Sequence, residues 1–211
     1  MTKRPNLLVG EDLPPAPMQR RSLEKRARLK AAALALFAEK GYEATSMEDI
    51  AGRARVAIGS CYQHYRSKRQ FLLALMDDLL EKLSRLDLQP SGAKDVRAAL
   101  RALLARAFSH DLSYLGAYRA WQEAALSDPE LTRKQAQIHA WTSGRVKAVF
   151  TFLQQLPGAR QAVDLPTLAR VMDNFFWGLL ARAAEMSRTE LNRWIDSSTH
   201  LIYHALFQDP S

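Results

Sequence analysis

Three polar side chains stand close together in one segment of the chain: Ser60, Gln63 and His64. Their hydroxyl, amide and imidazole groups can hydrogen-bond to base edges in a DNA major groove, and the neighbouring Ile58 could contact a thymine methyl group. Periodicity predicts one short helix near residues 58–65 that contains all four. This helix is a candidate for base recognition.

A second group of side chains is suited to phosphate. Thr45, Ser46 and Lys68 stand at predicted helix starts or beside them, where unpaired backbone N–H groups favour anions. Tyr62, within the third helix, is also placed for a phosphate. Phosphate contacts fix the position of a protein on DNA, whereas base contacts supply the sequence preference. The two groups together predict a DNA-binding surface.

Short helices must position these residues. A first helix with an apolar face over residues 29–37 ends at Gly41, a residue suited to a left-handed C-terminal position. Residues 46–49 form a capping box that begins a second helix of about eight residues, and about three residues connect it to the third. A further capping box at residues 67–70 begins a long fourth helix. Two short helices joined by a tight turn predict a helix-turn-helix.

Positive charge is concentrated in the same part of the chain. The 211 residues have a net charge of +8, with 14 Lys and Arg against 7 Asp and Glu in residues 1–70 but 16 against 15 in the remainder. A one-sided basic segment is suited to a polyanion, because phosphate contacts release counterions. Nucleic acid, anionic lipid and a merely solubilising surface are all compatible with charge alone.

Composition narrows the class of protein. Hydrophobic residues make up 47% and charged residues 25% of the chain, as in ordinary globular proteins. The single cysteine, Cys61, cannot form an internal disulfide or a zinc–cysteine site, so a reducing cytoplasm is expected. We expect neither a secretory signal nor a membrane span, because no apolar stretch is suited to either.

The rest of the chain is also predicted to be helical. Gly and Pro number only nine each, and no stretch alternates with the period of a strand. Further helices are predicted near residues 94–110, 112–127, 129–156, 165–187 and 189–207. The predicted fold class is therefore all-α with about nine helices, divided into an arm (1–19), a helix-turn-helix domain (20–67) and a helical body (68–211).

The arm has two interpretations. Four prolines in residues 1–19 predict a flexible segment. The basic residues Arg20, Arg21, Lys25 and Arg26 follow it and could track a DNA groove or phosphates, as basic arms do. A solvated arm is equally compatible with the sequence.

The helical body has two candidate surfaces. Its aromatic side chains are compatible with core packing or with a pocket for an apolar or aromatic ligand. The pocket candidates are Tyr118, Trp121, Trp141 and Phe176. The last two predicted helices either pack inward or form a four-helix dimer interface. The interface candidates are Val171, Phe175, Leu179, Trp194, Leu201 and Ile202.

No catalytic motif is evident in the sequence. It contains no nucleophile elbow, P-loop or dinucleotide fingerprint. His200 and His204 are one turn apart, but no third metal ligand is evident nearby. We therefore expect no enzyme activity, no metal and no cofactor.

A family resemblance rests on residues 41–75, GYEATSMEDIAGRARVAIGSCYQHYRSKRQFLLAL. This segment resembles the DNA-binding domain of the tetracycline-repressor (TetR) family of bacterial transcriptional regulators. With Phe37 upstream, the matching positions are Gly41, Tyr42, Thr45, Ser46, Ile50, Ala51, Ala54, Val56, Gly59, Ser60, Tyr62, Tyr65, Ser67, Lys68 and Leu72.

The resemblance implies a homodimer whose helix-turn-helix domains enter successive major grooves of a palindromic operator. The helical body would then hold the dimer interface and a ligand pocket, and the aromatic side chains of the body favour a small, largely apolar or aromatic effector. Effector binding would move the fourth helix and release the protein from DNA, which relieves repression.

Three positions depart from the family pattern. Arg55 replaces a turn glycine that tends to need a positive φ, and Ala57 replaces the usual Ser or Thr cap of the third helix. Both are nevertheless part of the predicted DNA-binding surface. Cys61 occupies an aliphatic position, where a buried small hydrophobe and a redox sensor are the alternatives. The alternative function is therefore that of a helical ligand-binding protein whose helix-turn-helix is degenerate and binds DNA without sequence preference.

Overall fold

The computed structural model describes residues 3–15, 17–88, 95–183 and 186–208. Within these ranges the fold is all-helical, with nine helices and no strand, which confirms the predicted fold class. The helices are α1 (Arg20–Lys40), α2 (Met47–Ala54), α3 (Ile58–Tyr62), α4 (Lys68–Arg85), α5 (Val96–Leu112), α6 (Leu115–Ala125), α7 (Pro129–Leu153), α8 (Leu165–Ala183) and α9 (Arg188–Leu206). None of the described helices is both long and apolar enough to cross a membrane.

Several helix ends differ from the predictions. The third helix ends at Tyr62 rather than near Tyr65, because Tyr65 leaves the helix to pack on Phe71 in the core, with ring centroids 4.0 Å apart. Helix α7 ends at Leu153 rather than at residue 156, since the final turn tightens and the N–H of Leu156 donates to the Leu153 carbonyl. Tighter bonding of this kind is common at helix ends.

Two other predicted ends also shift. Helix α5 continues to Leu112, and α6 begins only at Leu115. The predicted capping box at residues 67–70 is incomplete. The Ser67 hydroxyl accepts from the Gln70 N–H at 3.3 Å, but the Gln70 amide oxygen accepts from the N–H of Arg66 instead of Ser67.

The chain forms two compact units. Unit A contains residues 5–82 and 114–135, and unit B contains residues 1–4, 83–113 and 136–211. Unit A therefore combines α1, α2 and α3 with α6 and with parts of α4 and α7. The predicted boundary between residues 67 and 68 separates a DNA-binding domain from the helical body by function and not by packing. It stays a prediction.

Close contact between α1 and α6 organises unit A. A Cβ atom on Gly116 of α6 would lie 2.3 Å from the carbonyl oxygen of Leu34 in α1, so only glycine permits this approach. The fully buried side chains of Leu29, Phe37 and Trp121 belong to the core of this unit. Such burial of large apolar groups is the main stabilising contribution to the fold.

The N-terminal segment is not the free arm that its prolines predict. Leu7 is fully buried, and its carbonyl oxygen accepts a 2.9 Å hydrogen bond from the Lys134 ammonium group in unit A. The prolines prevent helix formation, but they do not prevent an extended segment from packing on a neighbouring surface.

In unit B, α5 packs against α8 and α9. Phe108 contacts Phe176 edge to face at 5.5 Å, and Phe175 stacks on Trp194 at 5.9 Å. These ring pairs connect the three helices, because aromatic pairs prefer such offset and tilted arrangements.

Candidate nucleic-acid interface

The capping box that begins α2 is complete. The Ser46 hydroxyl accepts from the Asp49 N–H at 3.0 Å, and the Asp49 carboxylate accepts from the Ser46 N–H at 2.9 Å. The ammonium group of Lys40 also donates to Asp49 at 2.6 Å. These hydrogen bonds, first from Lys40 and then from Ser46, lower the pKa of Asp49 to about 2. The start of α2 is therefore fixed by local bonds, as its sequence predicts.

The turn between α2 and α3 confirms the expected backbone conformation at Arg55. This residue has φ 54° and ψ 50°, in the left-handed region that costs a non-glycine residue roughly 1–2 kcal/mol. The N–H of Val56 donates to the Ala51 carbonyl at 3.0 Å and closes the end of α2. The arginine therefore keeps the geometry of the turn, and its side chain is exposed.

Helix α3 has an inner and an outer face. Cys61 is fully buried on the inner face, and burial raises its pKa to about 11. On the outer face Ile58 and Tyr62 are 39% and 44% exposed, and Gln63 follows them into solvent. Ser60 is half-buried. Ala57 supplies no side-chain hydrogen bond to the start of the helix, which agrees with the missing cap in the sequence.

His64 lies on the inner side of this region. It is only 7% exposed, and its pKa is lowered first by burial and then by the positive charges of Arg26 and Lys25. A buried imidazole with a lowered pKa is neutral near pH 7. The structure therefore does not bring His64 to the outer surface that contains Tyr62 and Gln63.

Two predicted phosphate ligands have internal hydrogen-bond partners. Thr45 is buried, and its hydroxyl donates to the Gly41 carbonyl at 2.7 Å. Lys68 donates to the carbonyl oxygens of Tyr42 at 2.9 Å and Glu43 at 3.2 Å, and its ammonium nitrogen lies 4.4 Å from the centre of the Tyr42 ring. Lys68 therefore holds the turn before α2, a role that spacing alone did not indicate.

Basic side chains on α1 differ in their partners. Arg26 donates from Nε to the Tyr65 hydroxyl at 3.0 Å and so supports the core beside α3. Arg21, Lys25 and Arg28 are exposed and form no ion pair with any residue in the described part of the chain. Arg20, by contrast, pairs with a carboxylate one turn along its helix. Three exposed cations thus remain on α1.

Sequence reasoning missed two residues of this region. Arg66, exposed between α3 and α4, pairs with Asp12. Glu123 of α6 accepts hydrogen bonds from the backbone before α2. For Arg66, a basic side chain directly after the predicted third helix is a sequence signal that could have identified it. No sequence signal was available for Glu123, because 80 residues separate it from its partner Glu43.

The predicted pocket residues are divided between the two units. Tyr118 and Trp121 are buried in unit A, whereas Trp141 is buried and Phe176 half-buried in unit B. The indole nitrogen of Trp121 is buried and has no hydrogen-bond partner among the described residues. An unsatisfied buried donor of this kind is costly.

The predicted interface residues on α8 and α9 are of two kinds. Val171 and Leu201 are 53% and 54% exposed, and the stacked Phe175 and Trp194 are half-buried. Leu179 and Ile202 are buried and are therefore core residues of unit B in this structure. His200 and His204 stack at 4.2 Å, and no group of three possible metal ligands occurs among the described residues.

Residues 29–75 match the bacterial regulatory proteins of the tetR family. An HTH-type transcriptional repressor of Mycobacterium tuberculosis is 40% identical over 77 residues, which cover 36% of this chain and 41% of that protein. The repressor KstR of the same organism is 28% identical over 187 residues, or 85% of this chain and 80% of KstR. The chain thus spans about two fifths of the length of the first of these relatives.

Solved structures share the fold. The fatty acid degradation regulator FadR from Bacillus halodurans has a TM-score of 0.70 at 18% identity, covering 84% of this chain and 94% of FadR. The SmeT–triclosan complex has a TM-score of 0.67 at 22% identity, covering 88% of this chain and 92% of SmeT. At such identities the similarity is one of fold.

Proposed function

Because residues 29–75 match the tetR family of bacterial regulatory proteins and a repressor is 40% identical over 77 residues, we propose that the chain is a TetR-family regulator of transcription that acts as a homodimer bound to a palindromic operator. Two copies related by a two-fold axis would place two reading helices in successive major grooves. Binding to chromosomal DNA would place the protein in the bacterial cytoplasm.

The outer face of α3 is the observation that carries this proposal. Ile58 and Tyr62 are large apolar or aromatic side chains that remain exposed, while Cys61 on the inner face is buried. With Gln63 beside them, they offer a methyl-contacting group, a hydroxyl and an amide to a groove. Arg55 adds a cation at the start of this surface. The face therefore combines base-edge and phosphate chemistry.

Phosphate contacts would come from neighbouring groups. The exposed cations Arg21, Lys25 and Arg28 of α1 would supply some of these contacts. Ser46 is the N-cap of α2, and a helix N-terminus favours anions. Thr45 and Lys68 would act indirectly by holding the turn before α2. This division leaves Tyr62 as the α3 side chain best placed for phosphate.

Dimerisation would use the exposed apolar groups of α8 and α9. Val171 and Leu201 are each more than half exposed, and Phe175 and Trp194 extend the same helices with a half-buried aromatic pair. Isolated exposed residues of this size are ordinary, but two apolar helix faces in one unit favour a four-helix interface between copies. Leu179 and Ile202 would support these helices from within.

The effector would be a small, largely apolar or aromatic molecule. The buried Trp121 indole N–H, which has no partner among the described residues, favours a ligand with a hydrogen-bond acceptor. SmeT has been solved with triclosan, and FadR is a fatty acid degradation regulator. Effector binding would release the operator, as in a repressor.

Selection of genomic fragments tests the proposal. Purified protein is mixed with sheared DNA of its source genome at near-physiological salt, and bound fragments are sequenced. We expect an enriched palindrome near promoters, whose affinity, measured by anisotropy, falls steeply with salt. Salt-sensitive binding without any sequence preference would contradict specific regulation and favour the alternative of a ligand-binding protein with a degenerate reading head.

A further inference from the structure

Residues 7–12 form a strap along α4. At one end, the N–H of Leu7 donates to the Asp77 carboxylate at 3.0 Å. The Lys134 ammonium, itself buried, donates to the Leu7 carbonyl at 2.9 Å and to the Val9 carbonyl at 3.2 Å. A buried ammonium needs such acceptors, because leaving it without them is costly. This end of the strap is thus firmly anchored.

The other end of the strap is acidic. Glu11, whose side chain is buried, contacts Arg69 through both carboxylate oxygens, at 2.5 and 2.6 Å. Arg69 also bonds Asp128 at 2.7 Å and lies 3.1 Å from a carboxylate oxygen of Glu130, so three carboxylates of unit A surround its guanidinium group. The next residue, Asp12, pairs with Arg66.

One buried side chain brings Asp12 and Arg66 together. The Gln70 amide nitrogen donates to the Asp12 carbonyl at 3.0 Å, and its amide oxygen accepts from the Arg66 N–H at 2.7 Å. Gln70 is buried, so it holds the backbones of Asp12 and Arg66 close together independently of the contact between their side chains. The ion pair between Asp12 and Arg66 is therefore a consequence of the packing of the strap.

The ion pair itself is open to solvent. The side chains of Arg66 and Asp12 are 55% and 79% exposed. Exposed pairs contribute little to stability and are screened by salt. Another anion can therefore take the place of Asp12 on the arginine without disturbing the buried anchors at Leu7 and Glu11.

We propose that Arg66 is a further phosphate contact of the DNA interface and that Asp12 masks it in the free protein. Arg66 directly follows the reading segment, three residues after Gln63, and its guanidinium can bind a phosphate as it binds a carboxylate. The strap is then an internal competitor that lowers affinity for every duplex. This inference rests on the proposed function, because it requires that α3 meets DNA.

Asp12→Asn tests the mask. The variant keeps the strap, since the Gln70 contact uses the Asp12 backbone, but removes the carboxylate from Arg66. At low salt we expect operator binding about three- to fivefold tighter than wild type, with a gap that closes as salt screens the pair. Asp196→Asn is the matched control, because it removes one carboxylate from an exposed pair with Arg101 in unit B.

Arg66→Gln completes the test as a double-mutant cycle. Alone it weakens binding and lowers the salt slope by about one phosphate contact, and in its background Asp12→Asn has no effect. If Asp12→Asn matches Asp196→Asn, or tightens binding equally without Arg66, the inference is wrong. If wild-type protein binds no duplex at all, the proposed function falls, and this inference with it.

Discussion

The carboxylate of Glu123 accepts a 2.6 Å hydrogen bond from the backbone N–H of Tyr42. The same carboxylate accepts from the N–H of Glu43 at 3.0 Å. Helix α6 is thereby bonded to the turn that precedes α2. Both elements lie in unit A. These two hydrogen bonds therefore tie α6 to the start of the segment that contains α2 and α3.

Loss of the Glu123 carboxylate should loosen the turn before α2. Glu123→Ala leaves two backbone N–H groups without their charged acceptor, so we expect about 2 kcal/mol lower stability in urea unfolding and weaker DNA binding. Gln122→Ala, on the exposed neighbour, is the control and should leave both unchanged. Equal stability of the two variants would contradict the structural role of Glu123.

The effects of substituting Gly41 and Glu123 on stability should be coupled. Its φ is +82°, and a Cβ atom there would lie 2.7 Å from a Glu123 carboxylate oxygen. Gly41→Ala therefore has both backbone strain and a steric clash, and we expect it to destabilise by more than about 1 kcal/mol. In the Glu123→Ala background only the strain remains, so urea unfolding should show a smaller loss. Simple additivity would refute this contact.

Arg55→Gly should have opposite effects on stability and DNA binding. Glycine relieves the left-handed strain at this position and should raise stability by about 0.5–1 kcal/mol. Loss of the cation should weaken DNA binding and reduce its salt dependence. Arg53→Gly, inside α2, should instead lower stability by about 1 kcal/mol. A destabilised Arg55→Gly protein would show that the turn does not have the described conformation.

His64 should make stability depend on pH. Its pKa is lowered from 6.5 by burial and by the charges of Arg26 and Lys25, so the unfolded chain binds a proton at a higher pH than the folded chain. The stabilising effect is complete above about pH 6.5 and is lost as the pH falls through that value towards the lowered pKa. His64→Gln should flatten the stability profile between about pH 7 and 5. The exposed His200→Gln is the control, and an unchanged profile in His64→Gln would contradict the burial.

Cys61 should not act as a redox sensor. Burial raises the pKa of its thiol to about 11, and the thiolate is the reactive form. At pH 8 we expect a thiol reagent to label the native protein only as fast as it unfolds, and to label the urea-unfolded chain at once. Rapid labelling of the native protein would mean that the thiol is accessible.

Local sequence signals predicted much of the structure of α2, α3 and the turn between them. The Ser46 capping box, the positive φ at Arg55 and the inward position of Cys61 depend on neighbours within a few residues, so pattern and propensity were sufficient. The nine-helix fold followed from periodicity in the same way.

Contacts between residues that are far apart in the sequence could not be predicted from local patterns. The burial of His64, the bonds of Lys68 to the turn before α2 and the packing of Leu7 against Lys134 depend on which elements meet in unit A. Six consecutive residues of α4, 71–76, are buried. A helix that is apolar all round is covered on every side, and the covering strap lies about 60 residues earlier in the sequence, so no local window could reveal it.

Recognition of base edges by the outer face of α3 is tested by binding-site selection with Gln63→Ala. Randomised duplexes bound by wild type, by Gln63→Ala and by the control Gln122→Ala are sequenced in parallel. We expect Gln63→Ala to lose preference at one or two symmetric positions of the site, each worth about 1–3 kcal/mol, while the control selects the wild-type site. An identical selected site for Gln63→Ala would contradict base recognition by this face.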